Sequence, residues 1–275
     1  MTLQDRNIIF KVGIVFALAL FILTAAGSVL VFPAHPGLES ARRSPGAVQA
    51  VVGRFLAPSP YVPLVSMLAA ALYALITIIL IYYFFEKTQC PEILFVALFV
   101  LSFSFEGMRI MTPLKAVREI PALYLVMASR FMLFGRYFGI FSLFAASVCA
   151  AGLEIQKQQN IIGIITMVAL IIAMRVPVDT LSWDSSFSMI NGYRSMFMMV
   201  DTGVLLITMV SFFISAYSRG DREYIFIGVG SLMVFAGRNI LLSADTWVSP
   251  LPGALFPALG PWFICTHLHK VYLWL

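Results

Sequence analysis

Again and again this chain runs for about 20 residues with almost no charge, the length a helix needs to cross the hydrocarbon core of a bilayer. Inside lipid every backbone N–H and C=O must be bonded within the protein, which leaves only helices and closed barrels. The runs are continuous rather than alternating, so they read as helices and not as barrel strands. Composition agrees: 61% of residues are hydrophobic and 11% charged, against about 25% charged in soluble domains.

The runs cover residues 8–32, 61–85, 93–113, 121–153, 161–175, 196–218 and 224–244. An eighth, at 254–275, follows if the proline-rich stretch TWVSPLPGALFPALGP leads into a helix. The expected fold is an all-α polytopic membrane protein, a bundle of seven to eight transmembrane helices forming one domain over residues 1–275. Thr24, Ala25, Ala26 and Gly27 would suit cleavage of a signal peptide, but the apolar run continues to Phe32, so a retained helix is expected. Residues 33–60 read as a loop with a short interfacial helix over Ala47–Leu56.

Within this apolar background the charges carry the information. Burying one in a membrane span costs roughly 2.5 to 3.5 kcal/mol on insertion scales, so such residues face protein or water. In LSFSFEGMRIMTP, Ser102, Glu106 and Arg109 fall at i, i+4 and i+7 and share one face of an α-helix. Glu106 and Arg109 lie late in the third span, Arg130 and Arg136 early in the fourth, and Arg175 ends the fifth. Asp201 opens the sixth, Arg238 and Asn239 come late in the seventh, and Asp245 follows at i+7 from Arg238. Because alternate spans run in opposite directions, all these charges fall in the same half of the bilayer, whichever way the protein faces.

Five arginines face Glu106 and Asp201, or three acids with Asp245, so about two positive charges lack a counter-charge. Water, snorkelling or an anion would relieve them. Arginine suits the last role, since a guanidinium binds carboxylate or phosphate bidentately. The expected ligand-binding set is Glu106, Arg109, Arg130, Arg136, Asp201, Arg238 and Asn239, around a water-accessible cavity for an anionic small molecule or lipid. The blander expectation is that Arg109, Arg130 and Arg175 snorkel to lipid headgroups.

Other signals add less. Gly135 and Gly139 stand in a GxxxG spacing that lets helices approach closely. FEGMRI and FAGRNI each place Gly and Arg late in a span, a hint of internal duplication. Cys90, Cys149 and Cys265 show no metal or disulfide spacing, and His267 and His269 point about 200° apart on a helix. Neither a metal nor a cofactor is expected, and no catalytic residue is assigned, because HExxH, P-loop and GxSxG patterns are missing from the sequence. The net charge of +5 is scattered among apolar spans and makes no nucleic-acid stripe.

The expected partners are therefore the lipid bilayer, an anionic ligand or lipid, and a signalling or transport partner protein. The function expected first is a sensory or binding module in the cell (inner) membrane. A transporter or lipid-headgroup enzyme using the same cluster, with Thr208, Ser211 and Ser215 as a polar path, is the alternative, and a structural subunit of a membrane complex is a third. Positive charge in the short loops is nearly balanced, and loop character places the N-terminus in the cytoplasm.

Overall fold

The computed structural model of the chain describes residues 3–32, 59, 61–85, 90–152 and 158–273. Helix α1 (Leu3–Val31) is followed by α2 (Tyr61–Phe85) and α3 (Pro91–Ser102). The chain then tightens into a 3-10 segment, Phe103–Ile110, and resumes as α4 (Met111–Val117). Next come α5 (Ala122–Ala150), α6 (Gln158–Arg175), α7 (Arg194–Arg219), α8 (Glu223–Leu242) and α9 (Pro250–Leu273). Between α6 and α7 the chain folds into an antiparallel hairpin of β1 (Val178–Trp183) and β2 (Met189–Asn191). The interfacial helix expected at 47–56 lies outside the described residues.

Seven stretches are long and apolar enough to cross a membrane, counting Pro91–Lys115 as one. Helix α9 spans 24 residues, about 36 Å at 1.5 Å per residue, long enough to cross as well. It lies antiparallel along α8: Gly230 faces Ile264 and Gly260, Gly237 faces Pro257, and Gly253 faces Leu241. Among the described residues the bundle therefore has seven candidate spans, with α9 paired antiparallel along the last of them. Pro257 and Pro261 sit inside α9, where neighbouring helices can satisfy the freed carbonyls.

The third span is the central post. In its most apolar window 89% of residues are buried, against 22% for α1 and α6 and 11% for α7. Around it α1, α2, α9, α8, α7 and α5 follow one another in an arc in that order, and α6 packs outside α5. The Gly135/Gly139 seam belongs to this post. A Cβ at Gly135 would stand 2.4 Å from Phe105 Cβ, and one at Gly139 would stand 2.2 Å from Ser102 Oγ. The glycine spacing therefore lets α5 close onto the third span. Gly107 and Gly237, the glycines of the two similar hexapeptides, serve the same purpose against Thr24 and Pro257.

One local departure from the sequence expectation matters. Residues 103–110 form a 3-10 helix, not a continuation of the α-helix. A 3-10 turn has three residues, so positions i and i+3 eclipse instead of standing about 60° apart. Phe103, Glu106 and Arg109 thereby stack in one column along the post. Eight residues is long for 3-10 structure, and tight packing on three sides holds it: Gly107 against Thr24, Phe105 against Gly135, and Phe103 against Tyr73 at 5.0 Å.

Candidate functional site

Glu106 is the focus of the column, with a side chain 1% exposed, and three guanidiniums reach it. Arg136 of α5 donates in the bidentate mode, Nε to Oε1 at 2.9 Å and Nη2 to Oε2 at 3.2 Å. Arg109, eclipsed one 3-10 turn on, places Nε 3.3 Å from Oε2. Arg238 of α8 approaches Oε1 only to 4.0 Å, while its Nη1 donates to the Arg136 carbonyl at 3.2 Å. Its guanidinium lies 5.8 Å and 5.9 Å from the centres of the Phe99 and Phe103 rings, a cation–π seat provided by the same post.

Arg109 ties the post to its cap. Its Nη1 donates to the carbonyls of Leu242 at 3.0 Å and of Ser186, in the β-hairpin turn, at 3.3 Å. That turn is organised by Asp184, whose Oδ1 accepts from Ser186 N–H, Ser186 Oγ and Ser188 N–H at 2.7 to 3.0 Å. Phe187 takes a left-handed conformation (φ 60) and is buried with Val31, Leu64, Met67 and Ile110. A non-glycine residue held there costs of order 1–3 kcal/mol, compensated in part by that apolar seat. The hairpin thus closes the end of the bundle over Arg109. A small cavity of about 10 Å³, room for one water, remains beneath it, lined by Met108, Arg109, Thr112, Ser129, Met132 and Phe187 among others.

The structure brings together Glu106, Arg109, Arg136 and Arg238. Asp201 of α7 stands at the rim, acting electrostatically on Arg136 and Arg238, and its buried Oδ1 has no hydrogen-bond partner. The remaining members of the expected set are elsewhere. Arg130 turns to Met174 Sδ of α6 at 3.6 Å, and Arg175 and Asn239 are exposed. Asp245 follows the end of α8 and does not continue its face; its Oδ2 accepts from Ser185 Oγ at 3.4 Å.

The expected surplus of two positive charges disappears with these placements. Arg130 and Arg175 leave the tally, and Asp184 enters it through its field on Arg109 and Arg136. Three arginines then face three carboxylates, Glu106, Asp184 and Asp201, in formal balance. Hydrogen bonding is not balanced in the same way. Arg109 Nη2, Arg238 Nε and Arg238 Nη2 are buried N–H groups without an acceptor.

Sequence reasoning overlooked Asp184, although the alternation Asp184-Ser185-Ser186-Phe187-Ser188 is the pattern of a side chain capping its own turn. The path proposed from Thr208, Ser211 and Ser215 also looks different in three dimensions. Thr208 donates to Val204 O and Ser215 to Ser211 O within α7, and Ser211 donates to Ser147 O of α5. Chemically, the cluster offers guanidinium donors beside one half-open arginine, Arg136, whose side chain is 24% exposed. No family model and no curated protein matches this chain.

Proposed function

We propose that this chain is a membrane-embedded binding module whose arginine cluster receives the oxyanion of a phosphate- or carboxylate-bearing ligand. One observation carries it: Arg238 is 2% exposed yet keeps two N–H groups without an acceptor, beside a partly open Arg136. A buried donor left unsatisfied costs about 1–3 kcal/mol, more when charged, so such groups persist where something accepts from them. Arg136, already bidentate on Glu106, is the arginine a ligand would meet first. Arg238, seated on two aromatic rings rather than on a carboxylate oxygen, has donors to spare.

Binding at this place has a direct route to the rest of the molecule. Glu106 joins the post to α5, and Arg109 joins the post to the hairpin and to the end of α8. An oxyanion drawing Arg136 or Arg238 away from Glu106 would loosen the same contacts that close the bundle, which is what a sensory module requires of its site. Transport draws less support, because Phe95, Phe99 and Phe103 fill the post below the cluster and the α7 hydroxyls are engaged with carbonyls.

The experiment is thermal unfolding of purified protein in detergent, with and without inorganic phosphate and a phosphate-bearing lipid. The wild type should gain stability from at least one of them, and Arg136→Ala and Arg238→Ala should lose that gain. Equal melting of all three proteins under every addition would reduce the cluster to a structural ion-pair network.

A further inference from the structure

Building on that oxyanion reading, we infer that the ligand is a phospholipid entering sideways from the bilayer between α5 and α7. Its phosphate meets Arg136 and Arg238, and a hydrogen-bond donor on its headgroup meets Asp201. Three independent features point there.

The first is access. From the end of the bundle the cluster is covered, because the hairpin turn is bonded to Arg109 and its residues Ser186, Phe187, Ser188 and Met189 are buried. Arg136, by contrast, keeps a side chain that is 24% exposed, and it lies within the field of Asp201 on α7. That helix is the least enclosed of the bundle, and its first turns carry exposed Met196, Met198 and Met199. Unbranched thioether side chains repack readily around a varying apolar shape, as a lipid-facing rim requires. Where α5 and α7 do touch, at this level, the contact is a tilted pair of rings, Tyr137 on Phe197 at 5.5 Å.

The second is depth. Arg238 lies four residues before the end of α8 and Asp201 seven residues after the start of α7, about 6 Å and 10 Å along their axes. The headgroup layer on each side of a bilayer is roughly 5–7 Å thick, so, counted from helix ends at the water surface, these groups stand at its inner edge and a few ångströms below, within reach of a phosphate drawn inward.

The third is chemistry. Unused guanidinium N–H groups ask for an oxyanion, whereas the buried, unpartnered Asp201 Oδ1, whose carboxylate acts on the same two arginines, asks for a donor. In formal charge the site is balanced, so a bare anion would unbalance it. A headgroup carrying phosphate and ammonium together satisfies both needs and keeps the balance, and each charge-assisted bond is about twice as strong as a neutral one.

The test uses the full chain in detergent micelles. Its melting temperature is followed while adding, in parallel, a phosphatidylethanolamine, a phosphatidylcholine, phosphatidic acid, water-soluble glycerophosphoethanolamine and inorganic phosphate. The ethanolamine lipid should protect at a concentration at least about fivefold below the choline lipid, whose quaternary nitrogen cannot donate. Asp201→Ala, which removes the unpartnered oxygen together with its field on Arg136 and Arg238, should melt lower without lipid yet bring the two lipids to the same midpoint. Soluble glycerophosphoethanolamine should do little. Protection by it as strong as by the lipid, or an ethanolamine preference that survives in Asp201→Ala, would overturn the sideways lipid site while leaving the oxyanion reading in place. No protection by any of the five compounds would overturn both.

Discussion

Two buried carboxylates on the same helix have opposite fates here. Glu92 and Glu106 are both 1% exposed and 14 residues apart on the central post. Counting α-turns to Ser102 and 3-10 turns beyond, they lie within about 40° of one face and roughly 23 Å apart, one near each end. Around Glu106 three guanidiniums converge on a single carboxylate. At the other end the contacts among the described residues include several between near neighbours. Cys90 Sγ donates to Glu92 at 3.1 Å, Arg6 donates to the Phe85 carbonyl at 2.9 Å, and Arg219 donates to Tyr224 Oη at 2.8 Å. Glu223 meets His267, which stacks on Phe226 at 4.8 Å.

The difference teaches that burial of an acid is not what makes a cluster. Glu92 sits in the first turn of a helix, where the positive end of the helix dipole already favours a carboxylate. Glu106 lies late in the same span, far from that helix start, and its charge is held by side chains, Arg109 from its own segment and Arg136 and Arg238 from other helices. It therefore recruits Arg136 and Arg238 across the bundle, and the bundle becomes dependent on it.

Substituting the two acids in turn tests this contrast most severely. Glu106→Gln removes the one carboxylate that all three guanidiniums share and should cost about 3–5 kcal/mol in reversible unfolding in detergent. Glu92→Gln, which keeps an acceptor for Cys90 Sγ and gives up the help of the helix dipole, should cost less, about 1–2 kcal/mol. Equal losses would erase the distinction.

Within the cluster, Arg136→Met should cost about 2–3 kcal/mol, because it removes a bidentate charge-assisted pair. Arg238→Met should come within about 1 kcal/mol of wild type despite deeper burial, since a well-packed apolar replacement also abolishes the cost of burying that charge. The reverse order in a melting series would mean that Arg238, not Arg136, is the principal partner of Glu106.

Glycines sharpen the same point one step down. Gly139→Ala pushes a methyl into Ser102 and should destabilise by about 1–3 kcal/mol, whereas Gly163→Ala in α6 meets nothing within 4 Å and should be neutral or slightly stabilising. The smallest effect belongs to Asn239→Ala, an exposed position beside Arg238, expected within about 0.5 kcal/mol of wild type by the same measurement.

Much of the architecture was legible in residue order. Hydropathy located the long helices to within a few residues; the main shifts are at the first, which starts at Leu3, and the last, which starts at Pro250. Alternating direction placed the charges in one half of the bilayer, because each crossing reverses depth whatever the loops do. Arg130 and Asn239 illustrate the limit. Both have the right depth, and both face away from the cluster: depth along a span follows from counting, but rotation about its axis depends on which neighbour it packs against.

From its sequence alone this protein is fixed as a helical membrane bundle with an acid and several arginines at one level, because the insertion cost of charge and the length of apolar runs are local properties. Only the tertiary structure decided that the third span is the post, that its 3-10 turn stacks Phe103, Glu106 and Arg109, and that Asp184 replaces two distant arginines in the charge balance. Those outcomes depend on close approaches between helices far apart in the chain, set by glycines whose neighbours no local pattern reveals.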